Sequence, residues 1–377
     1  MSKLKPIPHD LIQEGERVMR VCNACRYCEG YCAVFPAMER RLTFEESDLN
    51  YLANLCHNCS ECYYACQYAP PQEFELNFPK TLAEIRGATY RKYAWPGFLA
   101  GLFDRNGLVV SLVTATSLAL FFIIMLAFIK PSVMFSAHND IEGAFYAVMH
   151  HDAMTWPFAI IALFVLTAFI MGCLRFWRDI DGKPSGLFNL KAVGQAVWDT
   201  LRLRYLDGGG DGCAYPDDLP SHARRWFHHM TFYGFFLCFV ATSLGFIYTY
   251  VFGWQAPYPF LSLPVLSGTL GGVGLLVGPV GLLWLKGSRN AVLSDKKQSS
   301  MDIGFLVLLF LSGLTGLLLL AFRETLAMGV LLGVHLGVVM GLFLTLPYGK
   351  FAHAIYRFAA LIRNDIERRT MPQLGAE

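Results

Sequence analysis

The chain has 377 residues and a formal net charge of +2; 54% of its residues are hydrophobic and 16% are charged, and its mean hydropathy is +0.40. This composition excludes an ordinary soluble globular protein and places the chain in the membrane class. The length allows two or three domains. Residues 1–105 are polar and contain eight of the eleven cysteines, whereas long apolar runs dominate from Leu108 onward.

Two cysteine runs of identical spacing, C-x2-C-x2-C-x3-C, lie in the polar part. The first run is Cys22, Cys25, Cys28 and Cys32, and the second is Cys56, Cys59, Cys62 and Cys66. Short loops of this kind let four thiolates face one centre, which is typical of a [4Fe–4S] cluster. Structural zinc usually uses two separated ligand pairs, so a compact run of four thiols fits a zinc site poorly. A disulfide framework belongs to secreted proteins, but Lys3 and Lys5 precede no apolar signal segment. The runs therefore predict two [4Fe–4S] clusters and one-electron transfer.

The pairing of cysteines with clusters follows from a comparison with two-cluster ferredoxins, in which the fourth cysteine of each run binds the other cluster. Carried over, this predicts one cluster on Cys22, Cys25, Cys28 and Cys66 and the other on Cys56, Cys59, Cys62 and Cys32. The ferredoxin run has Pro directly after its last cysteine, whereas Ala33 and Gln67 stand there in this chain. The spacing alone therefore leaves the crossed pairing open.

Two further features of the polar part have surface interpretations. His57, inside the second run, is interpreted as a solvent-exposed loop residue rather than one that tunes a cluster. The segment 70–93 carries aromatic and basic residues. They suit either contact with the membrane interface or docking of an acidic partner protein. Its basic residues are Lys80, Arg86, Arg91 and Lys92.

Six apolar segments follow, each about as long as the ~20 residues needed to cross a bilayer core. They are Leu108–Ile129, Thr155–Leu174, Trp226–Phe252, Pro264–Leu285, Asp302–Phe322 and Leu326–Leu346. Small residues such as Gly313 and Gly316 recur within them, as close helix packing in lipid requires. The expected fold is mainly α: a small ferredoxin-like 2[4Fe–4S] domain (1–105), a six-helix transmembrane bundle (106–360) and a cytoplasmic tail (361–377).

The distribution of Lys and Arg predicts the orientation of these spans. Seventeen basic residues lie between spans two and three, between spans four and five, and after span six, whereas Lys130 and Arg323 alone lie in the opposite loops. The pattern predicts a multi-pass protein of the bacterial inner (cytoplasmic) membrane with both termini in the cytoplasm.

The long loop 175–225 between spans two and three contains two recognisable segments. Residues 187–206 alternate leucine and valine with basic residues, which predicts an amphipathic helix near the membrane surface. The run Gly208–Cys213 contains four glycines. Because it follows no buried strand and opens no helix, a nucleotide-binding loop is not indicated, and the run is interpreted as a flexible turn with a free thiol.

Histidines in or beside the spans are candidate haem ligands, because ligating side chains are costly inside a bilayer. His335 and His353 are 18 residues apart, which is five turns and about 27 Å along one helix face. His228 and His229 begin span three at the depth of His353, so one of them can pair with it around a b-type haem. His335 lacks an obvious partner. His150 and His151 are the weaker candidates for that role.

Two stretches resemble the gamma subunit of respiratory nitrate reductase and its relatives. Residues 346–356, which include His353, resemble the end of that subunit's last helix, and residues 224–234 resemble the facing helix. The resemblance implies that His353 is a haem ligand and that a second ligand lies eighteen residues earlier, at His335. Cys238 stands where a further histidine is expected. The resemblance thus implies one b-type haem and leaves a second open.

The order of parts over nearly the whole chain resembles the tricarballylate/citrate-utilisation B family. That resemblance implies a protein that reoxidises a partner FAD-dependent dehydrogenase, the A subunit. Electrons would pass through two [4Fe–4S] clusters and b-type haem to membrane quinone.

Three alternatives stay open: a quinol-oxidising subunit that feeds a cytoplasmic reductase, a partner of a flavoprotein in cobalamin biosynthesis, and a zinc-dependent membrane sensor. The chain carries no motif of substrate chemistry, so no catalytic residues are assigned. Lipid, quinone and the flavoprotein are the expected partners, and nucleic acid is not.

Overall fold

The computed structural model describes residues 6–138, 143–180, 182–214 and 219–371. The described chain is mainly helical, as predicted. Its N-terminal part contains α1 (His9–Cys25), α2 (Val34–Met38), α3 (Glu46–Leu55), α4 (Glu61–Tyr64) and α5 (Phe78–Tyr93).

The remaining helices form the bundle and the segments that connect it. They are α6 (Asn106–Phe128), α7 (Pro131–Met134), α8 (Ala144–Val148), α9 (His151–Asp179), α10 (Leu190–Leu201), α11 (Ala223–Phe252), α12 (Leu263–Ser288), α13 (Ser299–Ala321), α14 (Met328–Thr345) and α15 (Ala352–Thr370). A two-stranded antiparallel pair, β1 (Cys213–Ala214) and β2 (Pro220–Ser221), precedes α11.

Helix α5 is the central helix of the N-terminal domain and packs against α1 and α3. Asn77 caps it by accepting a hydrogen bond from the Lys80 backbone N–H at 3.2 Å. Leu82 and Ile85 on its inner face are fully buried. Arg86 and Lys92 are also buried, so the interpretation of their segment as a membrane or docking surface is wrong for these two residues.

Six helices in the described ranges are long and apolar enough to cross a membrane, which confirms the six predicted spans. Their ends differ from the predicted ones by a few residues; the second span runs from His151 to Asp179. Glycines allow close approach between α11 and α12. A Cβ on Gly234 would lie 2.9 Å from the backbone oxygen of Gly271. Such small-residue contacts are the usual means of helix association in lipid.

The last span does not continue to His353. Helix α14 ends at Thr345, a short 3-10 turn covers Leu346–Tyr348, and Gly349 is extended before α15 begins. Pro347 breaks the helix because it lacks a backbone N–H. The prediction that His335 and His353 project from one face of one continuous helix is therefore wrong.

Helix α15 fastens the N-terminal domain to the rest of the chain, and it includes part of the segment expected to be a tail. It packs against α3, α9 and α10. Arg41 donates to the Glu367 carboxylate at 2.5 and 3.1 Å and to Asp48 at 2.6 Å. The Arg41 and Glu367 side chains are both buried.

We expect Glu367→Gln to destabilise the docking of α15 by about 1.5–3 kcal/mol, because Arg41 then loses the charged partner of a buried hydrogen bond. Burial opposes ionisation of Glu367, but the hydrogen bond and charge of Arg41 lower its pKa. A carboxyl with a lowered folded-state pKa stabilises the fold above its unfolded pKa, and that contribution is lost as the pH falls. Thermal unfolding in detergent should show a lower midpoint at pH 7. An unchanged midpoint at pH 7 would contradict the role of this pair.

Candidate electron-transfer site

The eight cysteines of the two runs line two adjacent pockets. We call the pocket of Cys22, Cys25, Cys28 and Cys66 the first cysteine site. We call the pocket of Cys32, Cys56, Cys59 and Cys62 the second cysteine site. Cys62 also lines the edge of the first pocket. The last cysteine of each run thus lies with the other run, which is the grouping of the crossed arrangement.

The donors of each site fit a four-iron cluster. A [4Fe–4S] cluster takes four cysteine thiolates, one for each iron. The four sulfurs around a cluster therefore lie farther apart than the ligands of a single metal ion. Within the described ranges, no three His, Cys, Asp or Glu side chains converge closely enough to hold a single metal ion. Four thiols around a pocket are present at each site.

The two sites differ in exposure. Cys56 and Cys59 of the second site are 6% and 7% exposed. Its Cys32 and Cys62 are half-buried, as are all four cysteines of the first site. Tyr27, which lines the first site, is 67% exposed. The first site therefore lies nearer to solvent, and the second lies deeper in the protein.

Four arginines hold the loop Cys56–Ser60 of the second site, and we call them the arginine clamp. Arg86 and Arg357 both donate to the Cys56 carbonyl, at 2.9 and 2.8 Å. Arg224 donates to the carbonyls of Asn58 at 2.6 Å and His57 at 3.0 Å. Arg289 donates to the Asn58 side chain at 3.1 Å and to the Ser60 hydroxyl at 2.8 Å.

The conformation of this loop turns its polar groups toward the clamp. Asn58 (φ 56°) and Ser60 (φ 74°) both adopt the left-handed region, which is uncommon for residues other than glycine. The surrounding contacts must maintain such a conformation. The clamp supplies them from α5, α11, α15 and the residue after α12.

His57 lies between the second cysteine site and a large cavity, because it lines both. Its Nδ1 donates to the Leu55 carbonyl at 2.9 Å. Burial and the neighbouring Arg357 charge hold the pKa of His57 well below its usual value, so the ring is neutral. The interpretation of His57 as solvent-exposed is wrong, since the arginine clamp encloses its loop.

The glycine run packs beside the second cysteine site, since Gly208 lies next to Glu61 and Gly209 next to Tyr31. Gly208, Gly209 and Gly212 have φ values of 54°, 84° and 108°, which favour glycine. A Cβ on Gly209 would lie 3.3 Å from the Gly30 backbone oxygen. Cys213 is fully buried, and its thiol is in hydrogen-bond contact with Cys59. The run thus carries the predicted free thiol, which is enclosed beside Cys59.

A cavity of about 460 Å³ lies between the second cysteine site and helices α11, α13 and α15. This volume is within the roughly 300–1,000 Å³ of small-molecule and cofactor sites. Its apolar walls include Phe232, Phe235, Phe305 and Phe351. We call it the histidine cavity, because His228 and His353 face each other within it.

The geometry of this histidine pair fits a haem iron. The ring centroids of His228 and His353 are 6.3 Å apart, and the ring planes differ by 77°. With metal–nitrogen bonds of about 2 Å, two rings on opposite sides of one iron have centroids about 6 Å apart. The His353 Nδ1 donates to the Lys350 carbonyl at 2.5 Å, as the second nitrogen of a ligating histidine usually does. His228 Nδ1 is buried and has no hydrogen-bond partner among the described residues.

The protonation state of His353 also fits ligation. Burial and the neighbouring Arg357 and Lys350 charges hold the pKa of His353 far below its usual value. The imidazole is therefore neutral at pH 7, as a metal ligand must be.

The charges of the histidine cavity fit an anionic group. The cationic residues that line it are Arg86, Arg224, Lys286, Arg289, Lys350 and Arg357, and the acidic ones are Asp199 and Asp302. Lys286 and Lys350 pair with Asp302 at 2.9 and 2.8 Å. Burial lowers the pKa of Lys350 to about 8 and that of Arg357 to about 10, so both stay cationic at pH 7. The surplus positive charge suits the two propionates of a b-type haem.

The other candidate histidines lie elsewhere. The His229 ring packs against Tyr233 and does not line the cavity. His335 contacts Thr315 Oγ1 through Nδ1 at 2.9 Å, between α13 and α14. His150 is exposed beside Asp152, and His151 packs between two tyrosine rings. In the described ranges, none of these contacts joins His335 to His150 or His151.

The clamp, Cys213 and the Lys286–Asp302–Lys350 group are site residues that the sequence did not indicate. Arg86 was assigned to the surface segment 70–93, and the other basic residues counted only toward membrane orientation. Their functional signal is a contact with residues far along the chain: Arg224 and Asn58 are 166 positions apart. A pattern search over short spacings does not detect such pairs.

Two family models match different parts of the chain. Residues 15–92 match the model of the citrate utilization protein B Fer4-like domain, and residues 102–373 match the citrate utilization protein B family model. Citrate utilization protein B of Escherichia coli is 51% identical over 363 residues, which cover 96% of this chain and 94% of that protein. No solved structure matches the chain significantly. The chain therefore belongs to the citrate utilization protein B family and has that family's Fer4-like domain.

Proposed function

We propose that the chain is a membrane electron-transfer protein. It accepts electrons from a cytoplasmic FAD-dependent dehydrogenase, for which we propose tricarballylate as substrate. It delivers them to membrane quinone through two [4Fe–4S] clusters and one b-type haem. The Fer4-like domain and the citrate utilization named in the E. coli relative support the cluster chemistry and the metabolic setting.

One observation carries the proposal: the second cysteine site and the histidine cavity share a wall. His57 and Asn58 line both, and Arg224, which binds their carbonyls, also lines the cavity. When bound, clusters and haem each carry one electron at a time, whereas flavin and quinone exchange two. The chain's own residues hold the two sites side by side, with His57 and Asn58 between them.

The exposure of the first cysteine site supports entry of electrons at that end. Its cysteines are half-buried, and a protein partner can approach them at Tyr27 and Gln67, both exposed on the domain surface. The second site is covered by the clamp and the glycine run. A soluble flavoprotein would therefore dock at the first site.

The histidine cavity supports exit of electrons toward lipid. Phe236 lines the cavity and is also exposed on the outer face of α11, so little protein separates the cavity from the lipid around the bundle. Lys286 and Lys350 line the same space and can donate hydrogen bonds to a quinone oxygen. The surplus of basic residues beside α10, α12 and α15 supports placing this end and both termini in the cytoplasm of a bacterial inner membrane.

The proposal predicts a specific optical behaviour of the purified protein. Dithionite should bleach a broad cluster absorbance and produce the sharp bands of reduced b-type haem. A short-chain quinone should then reoxidise both signals. Protein that shows neither signal would exclude the proposal and favour a zinc protein. Haem that is reduced by a quinol, but not reoxidised by the quinone, would indicate electron transfer in the opposite direction, from quinol into the protein.

A further inference from the structure

We propose that the arginine clamp makes the second cysteine site the higher-potential of the two sites, so that an electron entering the chain settles beside the histidine cavity. The inference rests on the proposed function in one respect, namely that both sites hold [4Fe–4S] clusters. It assigns to Arg86, Arg224, Arg289 and Arg357 a role as positioning residues that set a reduction potential.

The clamp is specific to the loop between Cys56 and Ser60. Its guanidinium groups reach three consecutive carbonyls, those of Cys56, His57 and Asn58. Arg289 reaches the Asn58 and Ser60 side chains. These residues come from parts of the chain that are far apart, so the fold gathers four cations on one cluster loop.

The first cysteine site has a different environment. Its loop is bound by its own Arg26, which donates to the Asn23 carbonyl at 3.1 Å, and Gln67 lies 3.8 Å from Cys25 Sγ. The cysteines of this site are half-buried, so water screens charges around them more strongly than around the second site.

Electrostatics gives the direction of the effect. Four thiolates make an occupied site anionic, and reduction adds a further negative charge. The potential of such a cluster depends on its net charge, its hydrogen bonds and its exposure. A nearby cation stabilises the reduced form, and it does so more strongly where burial lowers the effective dielectric constant. Glu61 is the one carboxylate in the run 56–62 and is outnumbered by the four arginines.

The order of the two reduction potentials would set the direction of electron transfer, from the first cysteine site to the second. The exposed first site would accept an electron from the partner, and the buried second site would hold it more tightly. The second site shares His57 and Asn58 with the histidine cavity. The electron would therefore be held next to the cavity proposed to contain the haem, which is the next acceptor. The clamp thus fixes the position of the loop and the potential of the cluster with the same side chains.

The test is a potentiometric titration of the full-length protein in detergent, followed by electron paramagnetic resonance. The wild type should show two reduction steps. Arg289→Gln should lower the reduction potential of the upper step by at least about 59 mV, which is a tenfold change in the equilibrium constant for one electron. The potential of the lower step should stay unchanged. Arg289→Lys keeps the charge and should restore most of the upper potential. Arg26→Gln is the matched control and should leave the upper step unchanged. Arg224→Gln provides a second clamp variant if Arg289→Gln does not fold.

Each outcome decides the proposal. An upper step that does not move in the Gln variants, or two wild-type steps of equal potential, overturns it. An equal loss in Arg289→Lys and Arg289→Gln overturns the electrostatic role of this arginine. In both cases the clusters are still present, so the proposed function stands. Protein without any cluster signal would instead refute the proposed function itself.

Discussion

Replacing His353 with Ala should remove nearly all haem from the purified protein and leave the iron of both clusters, about eight atoms per chain, in place. His353 faces His228 across a centroid distance of 6.3 Å, and no other histidine among the described cavity residues can replace it. His57, the third histidine that lines the cavity, sits on the cluster loop. The haem content and the non-haem iron content should be measured on the same preparation.

A matched control for this variant lies beside its partner. His228→Ala should lose haem as His353→Ala does, whereas His229→Ala, one residue further along α11, should keep it because that ring packs on Tyr233 outside the cavity. Added imidazole should restore haem binding to His353→Ala by filling the space of the missing ring. Full haem retention in His353→Ala would refute this ligand pair and favour His335 as a haem ligand.

Replacing Cys59 with Ser should reduce the iron content from about eight to about four atoms per chain, since one of two four-iron clusters loses a ligand. Transfer from flavoprotein to quinone should stop, because the second cysteine site stands between the surface and the histidine cavity. The loss is expected at the second site alone, so the lower step of the titration should persist. Iron analysis and quinone reduction measure the two effects.

Cys213 supplies the control for this prediction. Its thiol is in contact with Cys59, so the double variant Cys59→Ser with Cys213→Ser tests whether Cys213 holds any iron that remains in Cys59→Ser. Cys213→Ser alone should keep about eight iron atoms. Unchanged transfer in the double variant would remove the second site from the electron path.

The features predicted correctly from the sequence are those encoded in short stretches. The two cysteine runs predicted an iron–sulfur domain, in agreement with the Fer4-like match over residues 15–92, and hydropathy located six spans whose ends shifted by only a few residues. The pairing of His353 with His228 rather than His229 was left open, because both histidines begin the same helix. Their side chains point about 100° apart around α11, and only the tertiary position of α11 relative to His353 decides which one faces the cavity.

The errors share a physical cause, which is that a linear pattern does not specify tertiary contacts. His57 was interpreted as a solvent-exposed loop residue and Cys213 as a free thiol in a flexible turn. Both are buried, because the N-terminal domain and the loop between spans two and three pack against each other. Arg86 read as part of a basic surface, yet it crosses the domain interior to reach Cys56. The sequence shows Pro347 but not the path of the chain after it. The chain changes direction there, and this places α15 against the N-terminal domain rather than along the last span.

Spacing and composition, which are local properties of the chain, specified eight thiols in two equal runs and six apolar spans. The tertiary structure alone decided how these parts are connected. It brought Arg224, Arg289 and Arg357 to one cluster loop from separations of 166, 231 and 301 residues, and it placed one histidine pair behind that loop. The physical reason is that short-range periodicity fixes helices and ligand loops, whereas burial of charge and shape-specific packing fix which distant residues meet.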